Sequence, residues 1–235
     1  MHEQSVTPMH VRLLGLFIAE IDRRPVEWLR RRDKQVFKYL ALSSERSASR
    51  AELIRLFWPG VKRNDAAQSL RTVCSNIRKA IGSIVGSKLV EVYFRAGEYL
   101  SLDVHNVIVD VDRFAAHMDA GDAEYESGRL RDACAEYRSA VALYHGDLLV
   151  GSADARWMAK RARALRSRHA IARDRIAQTI VALHDQECAP SRLDTPQALT
   201  FILDMYATAD VEPPHAGDLE YLASELIRAD LEERR

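Results

Sequence analysis

The chain has 235 residues, enough for one large domain or two modest ones, each able to bury its own core. A hydrophobic content of 47% with 29% charged residues is typical of globular proteins and excludes disorder as the default. The net charge is zero, but residues 1–103 carry 18 Lys+Arg against 11 Asp+Glu, leaving 16 against 23 for residues 104–235. A basic front and an acidic back predict a nucleic-acid-binding module joined to one that does not touch nucleic acid.

The chain is predicted to open with a small antiparallel sheet. A strand-like run covers residues 10–21, and the polar residues 22–25 that follow are typical of a turn. Residues 26–28 then suit a returning strand. These two strands predict a small antiparallel sheet at the start of the first domain.

Two helices are predicted next. Asp33 is the predicted N-cap of a helix over residues 34–43. Ser49, with Glu52 three residues later, has the spacing of a capping box and predicts a second helix over residues 50–57.

A cationic cluster stands just ahead of the first predicted helix and consists of Arg30, Arg31, Arg32 and Lys34. The start of a helix offers backbone amides and a positive dipole end to a phosphate. The cluster therefore suits a clamp on the DNA backbone, which would position the protein without reading sequence. A solvated run of charge is the other interpretation.

The segment 65–82 is predicted to be the central helix of this domain. At about 100° per residue it is apolar on one side and polar on the other. The apolar side holds Leu70, Val73, Cys74, Ile77 and Ile81, the polar side holds Gln68, Thr72, Ser75 and Lys79, and Arg71, Asn76 and Arg78 flank them. The polar types are those that reach base edges and phosphates in a major groove. An ordinary amphipathic surface helix is the alternative.

Two strand-like runs, residues 89–95 and 99–102, flank the turn at 96–98 and predict a terminal hairpin, or wing. Strands, three helices and a hairpin in this order form the winged-helix layout. In that layout the third helix enters the groove of DNA.

Several phrases of this region resemble a known family. RLLGLF, SRAELIRLFWPG, AAQSLRTVCSNIRKAIG and RAGEYL resemble, in order and spacing, the OmpR-type winged helix of the bacterial antibiotic-regulatory (SARP) activators. The resemblance implies DNA contacts from the third helix and one wing contact near the minor groove: Gln68, Arg71, Thr72, Ser75, Arg78, Lys79 and Arg95. The family usually has Gly before the wing Tyr, where this chain has Glu98, whose carboxylate would repel phosphates.

The composition changes after Asp103. A short linker of strand-like composition over residues 104–111 leads to a helix that Gly128 ends, and a second helix follows over residues 130–144. Two helices around a tight glycine turn predict a hairpin of the tetratricopeptide type. The segments AEYESGRLRDACAEYRSAVALYHGDLL and ARWMAKRARALRSRHAIARDRIAQ also resemble the bacterial transcriptional activator domain that follows the winged helix in SARP proteins.

A long helix over residues 154–185 carries a basic patch in this acidic half: Arg156, Lys160, Arg161, Arg163, Arg166, Arg168, Arg173 and Arg175. These side chains could form a second nucleic-acid surface. They could equally pair with the surrounding acidic helices or form a seam with the first domain or a partner. A loop at 190–196 and helices over 197–207 and 218–231 complete the prediction.

We find no sequence pattern for catalysis, for a cofactor or for a metal. Phosphate-binding loops, dinucleotide fingerprints and zinc spacings are absent from the sequence, and the eight His are scattered. Cys74, Cys134 and Cys188 are far apart and odd in number, which suits buried thiols. The start lacks a signal-peptide pattern, and no run reaches the roughly 20 apolar residues that span a bilayer. We therefore expect a cytoplasmic protein, without membrane contact, that is not an enzyme.

The sequence thus predicts an α+β fold: an OmpR-like winged helix-turn-helix domain over residues 8–103, then an all-α tetratricopeptide-like domain over residues 104–235. The predicted function is sequence-specific transcription regulation, as an activator that reads promoter DNA with residues 65–82. The expected partners are double-stranded DNA, RNA polymerase or another regulator, and further copies of the chain on DNA. The alternative is a protein–protein interaction adaptor whose winged helix has weak or no DNA affinity.

Overall fold

The computed structural model describes residues 6–43, 45–150, 155–187, 195–208 and 213–232. The chain packs as two compact units, Met1–Arg113 with His145–Ala162, and Phe114–Tyr144 with Arg163–Arg235. The first unit thus takes in residues from beyond the predicted domain boundary at residue 104. The boundary itself stays a prediction about how the chain divides into functional modules.

A four-stranded sheet opens the first unit. Strand β1 (Met9–Arg12) pairs antiparallel with β2 (Ile18–Ile21), and β2 pairs antiparallel with β3 (Arg24–Pro25). The turn between β2 and β3 places Asp22 at a φ of 51° and is tight enough to hold only two residues. The predicted strand over residues 26–28 is therefore shifted: the turn contains only residues 22 and 23, and the returning strand begins two residues earlier, at Arg24.

Part of the predicted linker is a strand. Residues Val107–Val109 pair parallel with β1 at the edge of this sheet, on the side away from β2. Parallel pairing joins segments that lie far apart in the chain, so local sequence patterns carry little trace of it.

The helices that follow build the core of the first unit. Helix α1 (Arg31–Leu42) begins after Arg30, so the prediction that Asp33 caps this helix is wrong; Asp33 lies inside the first turn and is buried. In helix α2 (Arg50–Phe57) the predicted Ser49 cap is confirmed, since the Ser49 side chain accepts a hydrogen bond from the Glu52 amide at 3.2 Å. The Glu52 carboxylate accepts from the Tyr39 hydroxyl. Helix α3 (Arg63–Val85) begins two residues earlier and ends three residues later than the predicted helix over 65–82.

A second sheet forms the wing. Its three strands, in spatial order, are β4 (Ser47–Ser49), β6 (Tyr99–Leu102) and β5 (Phe94–Ala96), all antiparallel. The first half of the predicted strand over 89–95 is instead a 3-10 helix, Ser87–Val92. This turn lets Val90 pack closely on Gly82, where an added Cβ would lie 3.3 Å from Val90 Cγ2.

A buried carboxylate joins the first sheet to the next helix. Asp110 accepts hydrogen bonds from the amides of Leu13 and Leu14 at 2.8 to 2.9 Å. Burial raises the pKa of Asp110, although these amides oppose that rise. The carboxylate thereby continues the hydrogen bonding of β1 past its last residue.

The segment 145–162 also packs within the first unit. Leu148 forms a β-bridge with Leu14, and the Gly15 amide donates to the Asp147 carbonyl at 3.1 Å. The Trp157 ring lies 5.0 Å from the Tyr39 ring, measured between centroids. These contacts place Leu148 and Trp157 against residues of the first unit, Leu148 beside Leu14 and Trp157 against Tyr39 of α1.

The remaining elements are helical. Strand β7 is the Val107–Val109 segment described above, and the helices are α4 (Asp110–Glu126), α5 (Leu130–Leu143), α6 (Ala155–Glu187), α7 (Thr195–Thr208) and α8 (Ala216–Glu232). The division between the two units falls inside α4 and α6. Within the second unit α4 and α5 approach closely, since an added Cβ at Gly121 would lie 2.7 Å from the Tyr137 ring. The fold is α+β, a small sheet region with three helices followed by a helical region.

Some predictions lie outside the described residues. These are Cys188 and most of the predicted loop at 190–196, of which only Thr195 and Pro196 are described, at the start of α7. Among the helices that are described, none combines the length and the apolar character needed to cross a bilayer.

Candidate nucleic-acid interface

Helix α3 is divided into a buried and an exposed side. Its apolar residues Leu70, Val73, Cys74, Ile77 and Ile81 are all buried, as the periodicity predicts. On the opposite side Gln68, Arg71, Ser75 and Lys79 are exposed, and Thr72 and Arg78 are half-buried. The structure thus brings the six predicted residues of this helix onto one solvent-facing surface and its edges.

The polar side of α3 makes few internal contacts. Arg71 Nη1 donates to Gln68 Oε1 at 3.0 Å, and Thr72 Oγ1 donates to the Gln68 carbonyl at 3.2 Å. Across the described part of the chain, no carboxylate forms an ion pair with Arg71, Arg78 or Lys79. Their charges are therefore available to an anionic partner.

The cationic cluster at the start of α1 is partly held by aromatic rings. The Arg32 guanidinium lies 5.6 Å from the Phe57 centroid and 5.5 Å from the Trp58 centroid, and the Lys34 ammonium lies 5.7 Å from Phe17. Arg31 is exposed. Cation–π contacts of this kind orient a cation without neutralising its charge, so these side chains keep the ability to face a phosphate.

The wing residue Arg95 has an acidic neighbour. Arg95 Nη2 lies 3.3 Å from Asp103 Oδ2, although 64% of the Arg95 side chain stays exposed. Burial acts to raise the pKa of Asp103, but hydrogen bonds from Asn106 and His105 and the charge of Arg95 outweigh it and lower that pKa. The ionised Asp103 therefore offsets part of the positive charge on the wing, while Glu98 and Tyr99 are exposed at its turn.

Two contacts that support this surface were not predicted. Arg50 Nε donates to the Gly97 carbonyl at 2.6 Å and ties the wing turn to the start of α2. Asn76 Nδ2 donates to Asp33 Oδ2 at 3.0 Å in the core between α3 and α1. The sequence holds a signal for the Asn76 contact, because Asn76 is a polar residue on the buried edge of an amphipathic helix. The sequence near Arg50 holds no such signal for its contact with the wing turn.

The arginines of α6 are engaged differently. Arg168 pairs with Asp119 at 2.7 Å, Arg173 pairs with Asp218, and Arg175 lies 3.9 Å from Asp122. Arg161 donates to the Leu42 carbonyl. For Arg168, Arg173 and Arg175 the structure supports pairing with acidic helices rather than a second nucleic-acid surface, whereas the partner of Arg161 is a backbone carbonyl. The side chain of Arg156 lies outside the described residues.

Other kinds of site are not indicated. Within the described ranges no group of three or more His, Cys, Asp and Glu side chains could hold a metal ion. Cys74 and Cys134 are buried free thiols, and burial raises the pKa of both, to about 11 for Cys134. A buried protonated thiol is a poor nucleophile.

The sheets, the three helices and the hairpin define a winged-helix protein with a helical C-terminal region. Residues 109–198 match the family of the bacterial transcriptional activator domain. The chain is 29% identical to the regulatory protein DnrI of Streptomyces peucetius over 150 residues. The aligned segment covers 60% of this chain and 54% of DnrI. The chain thus spans about half the length of this curated relative.

A solved structure shares the fold. EmbR of Mycobacterium tuberculosis, in complex with a low-affinity phosphopeptide, aligns with a TM-score of 0.62 at 21% identity, over 96% of this chain and 68% of that chain. The family match over residues 109–198 and the similarity to DnrI support the resemblance to SARP-type transcriptional regulators that the sequence motifs indicate, and the EmbR alignment shows a shared fold. The similar proteins are regulators rather than enzymes.

Proposed function

We propose that this protein activates transcription by binding promoter DNA in a sequence-specific manner through α3. The observation that carries the proposal is the exposed row of Gln68, Arg71, Ser75 and Lys79 on a helix whose other side is fully packed. Amide, hydroxyl and cationic groups on a packed helix can read base edges in a major groove, and the helix is fixed in place by its core.

The phosphate backbone would be held from two further places. Arg31, Arg32 and Lys34 lie at the start of α1, and Arg95 lies on the wing. Contacts to phosphates would set the register of the protein on the duplex and would supply most of the salt dependence of binding.

The helical region would serve assembly. One winged helix buries a modest area on DNA, and regulators of this size gain specificity by binding repeated sites as pairs. We therefore assign residues 104–235 to contacts with a second copy of the chain on DNA and with RNA polymerase or another regulator. These contacts would place α3 on successive sites.

A protein–protein adaptor with weak or no DNA affinity is the competing function. The observation that favours it is the wing, where Glu98 is exposed and Asp103 pairs with Arg95. Negative charge on this hairpin opposes contact with phosphates.

Binding of the purified full chain to a pool of genomic DNA fragments, at two salt concentrations and with sequencing of the recovered fragments, separates the two functions. We expect enrichment of fragments that share a repeated motif, with recovery that falls steeply as salt rises. Recovery that enriches no motif at either salt concentration would reject DNA reading and favour the adaptor.

A further inference from the structure

A buried polar pair joins the two elements that carry the candidate DNA contacts. Asn76 belongs to α3 and is 9% exposed, and Asp33 belongs to the first turn of α1 and is 1% exposed. Their hydrogen bond, 3.0 Å from Asn76 Nδ2 to Asp33 Oδ2, lies in the core of the first unit. Asp33 stands between Arg32 and Lys34 in the chain, and Asn76 stands next to the exposed Ser75.

Burying this pair opposes stability. Burial raises the pKa of Asp33, although the hydrogen bond from Asn76 and the Arg30 amide and charge act against that rise. Removing a carboxylate and an amide from water has a cost that one hydrogen bond offsets only in part. Replacing a buried polar pair of this kind by well-packed apolar residues is often neutral or stabilising, so stability alone does not explain the pair.

The other buried contacts that seat α3 are apolar and carry little directional information; one exposed polar contact, from Arg24 Nη1 to the Ile84 carbonyl at 3.4 Å, lies at the far end of the helix. Leu70, Val73, Ile77 and Ile81 fill the core by burial alone, which many small rotations of the helix would preserve nearly as well. A hydrogen bond between two buried side chains, in contrast, is satisfied only over a narrow range of distance and angle.

We propose that the Asp33–Asn76 hydrogen bond is a positioning device for sequence reading, which sets the rotation of α3 about its own axis relative to α1. At about 100° per residue, Thr72 and Lys79 lie within about 60° of Asn76 around the helix. Fixing Asn76 therefore fixes the direction in which these two side chains leave the helix. Neither Asp33 nor Asn76 needs to touch DNA for this effect.

The same bond sets the distance between two kinds of contact. Asp33 is flanked by cations of the predicted phosphate clamp, and Asn76 is flanked by the predicted base-reading residues. The phosphate-clamp residues and the base-reading residues must contact the same duplex at a fixed spacing, because phosphate contacts position the protein and base contacts specify the site. This role rests on the proposed function, since it has no meaning in a protein that does not read DNA.

The test uses the full chain and measures the ratio of its affinities for a recovered motif fragment and for a shuffled fragment of equal length. The decisive variant is the double substitution Asp33→Leu with Asn76→Leu, which keeps the branched shape and the number of heavy atoms of each side chain and removes the polar pair. The matched control is Asp33→Asn, which keeps a hydrogen bond to Asn76 and changes only the charge.

We expect the double variant to keep its thermal stability and its binding to the shuffled fragment, with an unchanged salt slope. Its affinity ratio should fall about tenfold, the size of effect that one or two lost base contacts produce. Asp33→Asn should keep the wild-type ratio, because the loss of one negative charge strengthens binding to both fragments alike.

A double variant that keeps the wild-type ratio would overturn the positioning role and leave the proposed function intact. A wild-type chain that enriches no motif would overturn both. If the double leucine variant does not fold, the exchanged variant, Asp33→Asn with Asn76→Asp, replaces it. The positioning role is supported if the exchanged variant keeps the wild-type affinity ratio while Asn76→Asp alone lowers it. Any other pattern rejects the role.

Discussion

Helices α3 and α6 are both rich in polar and basic side chains, but their cations have different partners. Helix α6 carries eight Lys and Arg and α3 carries four. Arg168, Arg173 and Arg175 of α6 face carboxylates, whereas Arg71 and Lys79 of α3 have no carboxylate partner among the described residues. The number of basic residues is therefore a poor guide to an anion-binding surface, and the partners of each cation are a better one.

Loss of the α3 cations should give the largest effect. We expect Arg71→Ala and Lys79→Ala each to weaken DNA binding about tenfold. The two positions are eight residues, or about 12 Å, apart on the helix, so their effects should add in the double variant. Fluorescence anisotropy with a labelled fragment measures this, and circular dichroism controls for folding. Unchanged affinity in both single variants would remove α3 from the proposed role.

Loss of an α6 cation should affect stability instead. Arg173→Ala removes the ion pair with Asp218 and is expected to lower the free energy of unfolding by at most about 1 kcal/mol, since the pair is 41% exposed on each side. DNA affinity should stay the same. Asp218→Asn removes the same ion pair from its other end. Thermal denaturation of the two single variants and the double variant therefore gives the interaction free energy of the pair. A loss of DNA affinity in Arg173→Ala would break the distinction between the two helices.

The wing should give a smaller effect of opposite sign. Glu98→Gln removes a negative charge that faces solvent beside the candidate surface, and we expect binding to any sequence to tighten about threefold at low salt. Glu98→Gly should tighten binding similarly. Because the Glu98 carbonyl accepts from the Arg50 amide at 3.4 Å, weaker binding in the glycine variant alone would assign a structural role to the backbone here.

The smallest effect is expected from Asp103. Its pKa is lowered below the ordinary value of 3.8, so the ionised carboxylate stabilises the fold above that pH and loses this contribution as the pH falls through the lower, folded-state pKa. Asp103→Asn should therefore be less stable than wild type at neutral pH. The difference should close as the pH falls below 3.8, which thermal denaturation across a pH series measures. A difference that stays constant with pH would assign the loss to packing.

The sequence predicted the helices and the polar side of α3 because both depend on local periodicity. An amphipathic repeat over 65–82 specifies which residues are buried, and the Ser49 cap depends on a residue only three positions away. Strand β4 was missed because it has only three residues, too few to show a recognisable alternation. The strand-like composition of residues 104–111 is visible in the sequence, but the pairing of Val107–Val109 with β1 is not, because β1 lies at the start of the chain.

The sequence predicts which residue types form the candidate site, but it does not predict the contacts between their side chains. Arg95 and Asp103 form an ion pair that depends on the hairpin between them, and Asp33 meets Asn76 only once α1 and α3 pack. A polar residue near a helix start is more often a cap than a core residue, which is why Asp33 was assigned wrongly. Pairings across the fold depend on tertiary structure that no local pattern encodes.

The parallel strand at the edge of the first sheet has a consequence for how such proteins can be recombined. A protein ending at residue 103 would lack Val107–Val109 and Asp110, which would leave the backbone of β1 open on one side. An open strand edge invites pairing between molecules and aggregation. Exchange of DNA-binding regions between relatives should therefore succeed only when the transferred piece carries its later segments, residues 104–113 and 145–162, along with it.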